Sequence, residues 1–199
     1  MKKTLKESPK VLGLDVSTRT IGVALFDIQS KELLELTHVS PTPKPKEENK
    51  IKELLRKGEI FRTKLLEYKD MGITKVIIEE PLLNSNNVYT VQTLLRFNTL
   101  VTKEIYDVLG IVPDFISTYN SRKFAFPELV KENDKGKFVL FGGLPKDIDK
   151  KQIIWELIAK KEPQITWQYT RNNTLKKENF DQTDAYCCVL GHMRQENIW

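Results

Sequence analysis

Four carboxylates in this 199-residue sequence draw attention by where they fall. Asp15 follows the apolar run Val11-Leu-Gly-Leu14, and a turn-rich centre, Ser17-Thr-Arg-Thr20, separates it from a second apolar run, Ile21–Phe26. Glu79 follows Val76-Ile-Ile78 in the same way. Asp181 and Asp184 stand three residues apart in Phe180-Asp-Gln-Thr-Asp-Ala-Tyr-Cys-Cys-Val-Leu190, a spacing that sets both on one face of a helix. A charge at the end of a buried strand is costly unless something pairs with it, and a metal ion, a basic partner or a sheet edge open to water would each serve. Carboxylates converging on a small volume are what phosphodiester hydrolysis by two metal ions requires, with the ions ~3.5–4 Å apart. Mg2+ and Mn2+ are hard cations that prefer oxygen, so Asp and Glu are the fitting ligands. Each acid also has a plainer explanation: first-turn acids meet the helix dipole favourably, and a strand-end carboxylate can accept from backbone donors. The four together point to a metal site made of Asp15, Glu79, Asp181 and Asp184.

The elements that would position these groups follow from periodicity and punctuation. Val11–Leu14 and Ile21–Phe26 read as a hairpin, and Lys31–Val39 completes an antiparallel meander. Ser40-Pro-Thr-Pro-Lys-Pro45 is a connecting loop, because its prolines have no donor for a ladder. A helix is predicted from about Glu48 to Lys69, with Ile51, Leu54, Leu55, Phe61, Leu65 and Tyr68 along one face and Gly58 as a weak point. Val76–Glu80 is nearly all apolar, as a strand covered on both faces should be, and Pro81 ends it. Strand alternation turns Glu80 away from Glu79, toward an ion pair or a supporting position. Asn84-Ser-Asn-Asn87 offers capping side chains for a helix over Val88–Leu109, with Val91, Leu94, Leu95, Val101, Ile105 and Val108 as its stripe and Gly110 as its stop. A strand at Asp114–Tyr119, a short helical stretch at Ser121–Ala125, an irregular insertion near 127–147, and helices over Ile148–Lys161 and from about Asp181 to Gln195 complete the chain. Residues 1–10 read as a flexible basic tail and 11–199 as a single domain.

A strand-end Asp, a strand-end Glu and a helical Asp-x-x-Asp, in that order, resemble the RNase H-like or retroviral-integrase nuclease superfamily, and within it the RuvC-like Holliday junction resolvases. The resemblance runs from about residue 11 to 192, and Ile78-Glu79 is similar to the resolvases' Ile-Glu motif. It implies an α/β, RNase H-like fold: a five-stranded mixed sheet, three antiparallel strands and then parallel ones, flanked by helices. It also implies a Mg2+-dependent (or Mn2+-dependent) endonuclease with two ions per site, acting as a homodimer on branched DNA, most of all four-way junctions. Lys150 and Lys151 fall where resolvases carry basic residues near the scissile phosphate; with Arg19 and Arg122 they are candidates for phosphate or DNA contacts. Leu82 and Leu83 stand where many resolvases have an aromatic wedge. Two other resemblances compete. The opening motif is also similar to the YqgF-type ribosomal RNA processing nucleases and to the phosphate-binding hairpin of the actin/sugar-kinase superfamily. The latter is generally built from two related domains and gives the Asp-x-x-Asp helix no place.

Composition sets the outer limits. Net charge is +5 with 30% charged and 40% hydrophobic residues, an ordinary globular balance. Basic residues gather at 2–10, 44–57, 146–151 and 171–177, which suits a body that holds phosphodiesters around an acidic pocket. No apolar run approaches the ~20 residues of a membrane span, no secretory-type apolar stretch is visible near Met1, and the adjacent Cys187 and Cys188 cannot bridge one another. A cytoplasmic protein with reduced thiols is the expectation. Phe138 and Phe141 are candidates for stacking on unpaired bases, and Phe97 and Leu100, off the main helical stripe, for a dimer contact.

Overall fold

The computed structural model describes residues 8–42, 47, 49–81, 87–145 and 147–199. Three strands, β1 (Lys10–Val16), β2 (Ile21–Asp27) and β3 (Leu33–Val39), pair antiparallel; β4 (Ile73–Glu79) and β5 (Asp114–Ile116) then add in parallel on the far side of β1. The sheet order β3-β2-β1-β4-β5 is the predicted mixed sheet, with β1 at its centre. Parallel neighbours need long crossovers, and α1 (Lys50–Tyr68) and α2 (Val88–Leu109) provide them. After β5 come α3 (Thr118–Ala125), a single 3-10 turn at Pro127–Leu129, the hairpin β6 (Val130–Glu132) and β7 (Phe138–Leu140), then α4 (Lys150–Lys161) and α5 (Glu178–Gln195).

Alternation along β1, β2 and β4 divides the core in two. Leu12, Leu14, Val23, Leu25, Val76 and Ile78 pack on Phe61, Leu65, Phe97, Val101 and Ile105 of α1 and α2. Val11, Ala24, Phe26 and Ile77 face the other way, onto Ala185, Tyr186 and Val189 of α5 and Ile154 and Ile158 of α4. Asn49 caps α1 and Asn87 caps α2, while Gly110 closes α2 at φ 70, a left-handed conformation that suits glycine.

Several expectations shift. β1 begins at Lys10, inside the stretch expected to be tail, because Lys10 donates from its backbone to the Gly72 carbonyl and from its side chain to that of Met71; residues 1–7 lie outside the described set. The helix through Gly58 is continuous, since that residue is buried where α1 meets α2, with Leu100 Cβ about 4.0 Å from where a Cβ would sit. On α2 the covered stripe is Phe97, Val101, Ile105 and Val108; Leu95 is exposed instead. Phe97 is wholly buried by the sheet and α1 and so cannot serve as a dimer contact, while Leu100 packs at the rim of the same core. Within the insertion, Pro127–Leu129 forms the 3-10 turn and Val130–Leu140 the β6–β7 hairpin rather than irregular chain, with Phe141 buried at its base and Phe138 exposed; position 146 lies outside the described residues. The final helix starts at Glu178, three residues before Asp181. Of the expected capping run, positions 84–86 lie outside the described residues, as do Leu82 and Leu83.

Candidate active site

The parallel register Leu14↔Ile78 brings Asp15 and Glu79 level on adjacent strands. Both point to the α5 side, as do Gly13 before Asp15 and Ile77 before Glu79. Because β1, β4 and β5 run parallel, their carboxyl ends share one edge, the place where open α/β sheets bind ligands. α5 descends onto that edge at unusually short range. A Cβ at Gly13 would lie 2.5 Å from the Ala185 carbonyl oxygen, and one at Gly22, the pairing partner of Asp15, would run into the Asp181 carbonyl. Only glycine fits at either position, and the approach it permits seats Asp181 and Asp184, one turn apart, over the two strand-end carboxylates.

Asp184 is 4% exposed, and both its oxygens are occupied. Arg122 Nη2, from α3, donates to Oδ1 at 2.7 Å, and Lys151 Nζ, from the first turn of α4, donates to Oδ2 at 2.9 Å. Thr118, the first residue of α3, donates its hydroxyl to Glu79 Oε1. Glu79 Oε2 is buried and has no hydrogen-bond partner among the described residues.

The electrostatics follow from this crowding. Burial pushes the Asp15 carboxyl well above the usual carboxylate range, and the charges of Glu79, Asp184 and Asp181 push it further, with Lys151 opposing. Glu79 rises to about 7, through burial and then Asp184, with the Thr118 hydroxyl, Arg122 and Lys151 opposing. Asp181 rises to about 6, mainly through burial; Lys151 and the Thr20 hydroxyl hold it down while Asp184 and Glu178 add to the rise. Burial alone would lower Arg122 and Lys151, yet both are raised because Asp184 accepts from them. Four acids thus share two cations, a surplus of desolvated negative charge that favours either protons or further cations.

Oxygen-only donors, a surplus of negative charge and an orphaned buried carboxylate oxygen fit hard divalent cations. In this arrangement no group of three or more His, Cys, Asp or Glu side chains among the described residues is disposed to hold a metal ion as it stands. Asp184 is committed to Arg122 and Lys151, and one oxygen of Glu79 to Thr118.

Of the other residues singled out in the sequence, Arg122 and Lys151 join the carboxylates, whereas Lys150 and Arg19 do not. Lys150 Nζ lies 5.7 Å from the centre of the Phe141 ring, and Arg19 is exposed in the β1–β2 turn. Glu80 is exposed, without an ion pair among the described residues, and its backbone N–H donates to Ile116. His38 meets Gln182, and His192 meets Lys75 and Asp114, so neither approaches the carboxylates. The sequence reading missed Thr118 and Thr20. Thr118 was within reach of it: it follows the end of a strand parallel to the one bearing Glu79, and parallel strands deliver their ends to one edge.

No protein-family model and no curated protein sequence matches the chain. Solved structures do. The RuvC of Thermus thermophilus in complex with a Holliday junction substrate superposes with a TM-score of 0.61 at 12% identity, over 94% of this chain and 94% of that one. The yeast mitochondrial Holliday junction resolvase Ydc2 gives 0.57 at 13% identity, over 98% of this chain and 84% of that one. Among the described residues no helix is long and apolar enough to cross a membrane. The chain has the RNase H-like fold in the form that RuvC-type Holliday junction resolvases have.

Proposed function

We propose that this protein is a metal-dependent, structure-selective endonuclease that cuts branched DNA, four-way junctions foremost, by paired incision. The observation that carries the reading is the convergence of Asp15, Glu79, Asp181 and Asp184 at the carboxyl edge of the sheet, where burial and mutual repulsion raise three of the four. These four side chains would hold Mg2+ or Mn2+, two ions per site. Bound there, the ions would supply an activated water and stabilise the leaving oxygen. Lys151 and Arg122 hold Asp184 in place and present positive charge to the phosphate that enters. The basic surface binds the backbone without reading sequence, with Arg19 and Lys150 adding contacts. The resolvases that this chain resembles in fold are described as acting on Holliday junctions, and the chain covers nearly their full length.

Two symmetric incisions call for two sites related by a twofold axis, so the active form is a homodimer. Its contact lies along the seam between α1 and α2, a groove of about 300 Å3 whose lining includes Leu55 and Leu100, where Ile51 and Leu55 are each about half exposed. Light scattering at micromolar concentration should give twice the chain's 23.2 kDa. A monomer that stays monomeric on a junction would remove the dimer from the proposal.

Asp15→Asn should abolish cleavage in Mg2+ or Mn2+ while the protein still folds and binds a junction. Cleavage at the parent rate would overturn the assignment. A side-by-side comparison of junction, flap, linear duplex and RNA–DNA hybrid at one salt concentration tests the substrate. Preference for the hybrid or for structured RNA would move the reading to an RNA-directed nuclease.

A further inference from the structure

α5 begins at the end of the molecule where the carboxylates stand. Asp181, in its first turn, passes Gly22; Ala185 passes Gly13 on β1, and His192 reaches Asp114, the first residue of β5. The helix therefore runs antiparallel to β1 and β5, and the chain just before it lies at the carboxyl edge of the sheet. It packs on the opposite face from α1 and α2, clear of the groove between them. That preceding chain is a built hairpin. Its limbs pair at Tyr169 and Leu175, the Thr170 N–H donates to the Thr174 carbonyl at 2.7 Å, and the two threonine hydroxyls lie 2.7 Å apart. Its base is held by Asn179, wholly buried on α5. Asn179 Nδ2 donates to the Gln168 carbonyl at 2.6 Å, and its Oδ1 accepts from the Gln168 N–H at 3.1 Å. Asn179 stands two residues before Asp181, so the hairpin is fixed to the helix that carries two of the carboxylates.

The tip of the hairpin is Arg171-Asn-Asn173, all three exposed, with Asn173 at φ 57 in the left-handed conformation that asparagine tolerates in turns. Arg171 has no ion pair, and none of the three side chains makes a hydrogen bond, among the described residues. Lys177, at the N-cap of α5, is also exposed and without an ion pair among them. From 163 to 177 the chain holds three cations and no acid, so phosphate can approach from any side. Arg and Asn are the two side chains that pair bidentately with base edges, Arg with guanine O6 and N7, Asn with adenine N6 and N7, and the major groove, ~12 Å wide, admits a two-stranded ribbon. Four residues of extended chain from Gln168 to Asn172 span at most ~14 Å. The tip is therefore within about 25 Å of Asp181, or about seven steps of a DNA strand at ~3.4 Å each. We infer that this hairpin enters the groove of the duplex arm beside the cut, Arg171 and Asn172 on base edges and Lys177 on a phosphate, and so selects the sequence at which the strand is cut. The inference rests on the nuclease reading and deepens it, by adding base contacts to a surface that otherwise holds only backbone.

The test uses a pool of four-way junctions randomised over about seven base pairs of each arm next to the branch. One portion is cut in Mg2+ and the products are sequenced; another is bound in EDTA and the bound fraction is sequenced. The parent should favour guanine at one position and adenine at a neighbouring one. Arg171→Ala should erase the first preference and Asn172→Ala the second, each by about tenfold, within the range of one bidentate pair, and leave the other positions as they were. Arg171→Lys keeps the charge and loses the fork, so it should select like Arg171→Ala. Lys177→Gln should weaken binding alike for all sequences and lower the slope of log K against log salt by about 0.9. All three side chains are exposed, so equal melting temperatures will show that folding is intact. If the two alanine variants give the parent's profile in both pools, or the parent shows no preference, the hairpin inference fails even though the parent cuts junctions. A guanine preference that Arg171→Lys retains in full would also overturn it, since Arg171 would then be meeting phosphate. If the bound pool shows the preferences and the variants lose them while the parent cuts nothing, the hairpin stands and the nuclease reading falls.

Discussion

The same three strands build two unlike surfaces. Toward α1 and α2 they present Leu12, Leu14, Val23, Leu25, Val76 and Ile78, and the helices answer with Phe61, Leu65, Phe97, Val101 and Ile105. Toward α5 they carry Gly13, Asp15, Gly22 and Glu79, and the helix brings buried Asn179, Gln182, Thr183 and Asp184 alongside its apolar residues. One face maximises buried side-chain volume, the usual source of stability. The other gives up side chains at Gly13 and Gly22 so that a helix backbone can come close enough to fix four carboxylates. Buried charge of that kind is weak evidence for stability and better evidence for a job.

The sharpest way to break this contrast is Gly22→Val. The added carbons would enter the space of the Asp181 carbonyl, which is backbone and cannot move without displacing α5. A loss above about 4 kcal/mol is expected, in the exceptional range for single substitutions, and urea unfolding measures it. Phe97→Ala on the opposite face should cost about 3–5 kcal/mol by leaving a cavity. The two should differ in what else they disturb. At a temperature where both remain folded, Phe97→Ala should take up Mn2+ with the parent's affinity, whereas Gly22→Val should bind it more weakly. Equal Mn2+ affinity in the two variants would mean that the close approach of α5 is a packing device and nothing more.

A milder substitution acts within the first face. Gly58 lies in the interior of α1 where a Cβ would find about 4.0 Å to Leu100. Gly58→Ala should therefore stabilise the protein by about 0.4–1 kcal/mol, because the unfolded chain loses freedom and no contact is strained. Junction cutting should not change, and a destabilised variant would show the α1–α2 contact to be tighter than the distances indicate.

How far the sequence foretold all this depends on the range of the signal. Local patterns served well: the apolar runs around Asp15 and Glu79, Asn87 and Gly110 at the ends of α2, and the three-residue spacing of Asp181 and Asp184 each depend on neighbours within a turn or a strand. Long-range coincidences were illegible. Arg122 and Lys151 meet on Asp184 from 62 and 33 residues away; basic residues are common enough that nothing marked these two over Lys150. Phe97 was misjudged because the helical stripe assumed one covered face, whereas α2 is covered by α1 as well as by the sheet. The hairpin at β6 and β7 was missed because strands of three residues, half exposed, show too little alternation to register.

The smallest expected effect tests whether the α5 face is electrostatically tuned beyond its carboxylates. His192, near the C-terminal end of α5, has its Nε2 3.3 Å from Lys75 Nζ and 3.4 Å from an Asp114 oxygen, while Lys75 and Asp114 pair at 2.7 Å. Burial, and then the Lys75 charge, hold the imidazole below its usual value, with Asp114 and Glu196 pulling the other way. A neutral Nε2 can accept from Lys75, and a protonated one cannot. Because the folded value lies below the unfolded one of ~6.5, the unfolded chain takes up this proton first on acidification. Stability must then rise with pH across that window: the His192 penalty is absent above the unfolded value, grows as pH falls through it, and levels off below the folded value. His192→Gln keeps an acceptor for Lys75 and removes the titration. Urea unfolding at pH 7.5, 6.5 and 5.5 should therefore show the parent losing ground to the variant as pH falls. A difference that stays constant across the three would mean that Asp114 compensates the imidazolium fully, and that tuning on this face ends at the carboxylates.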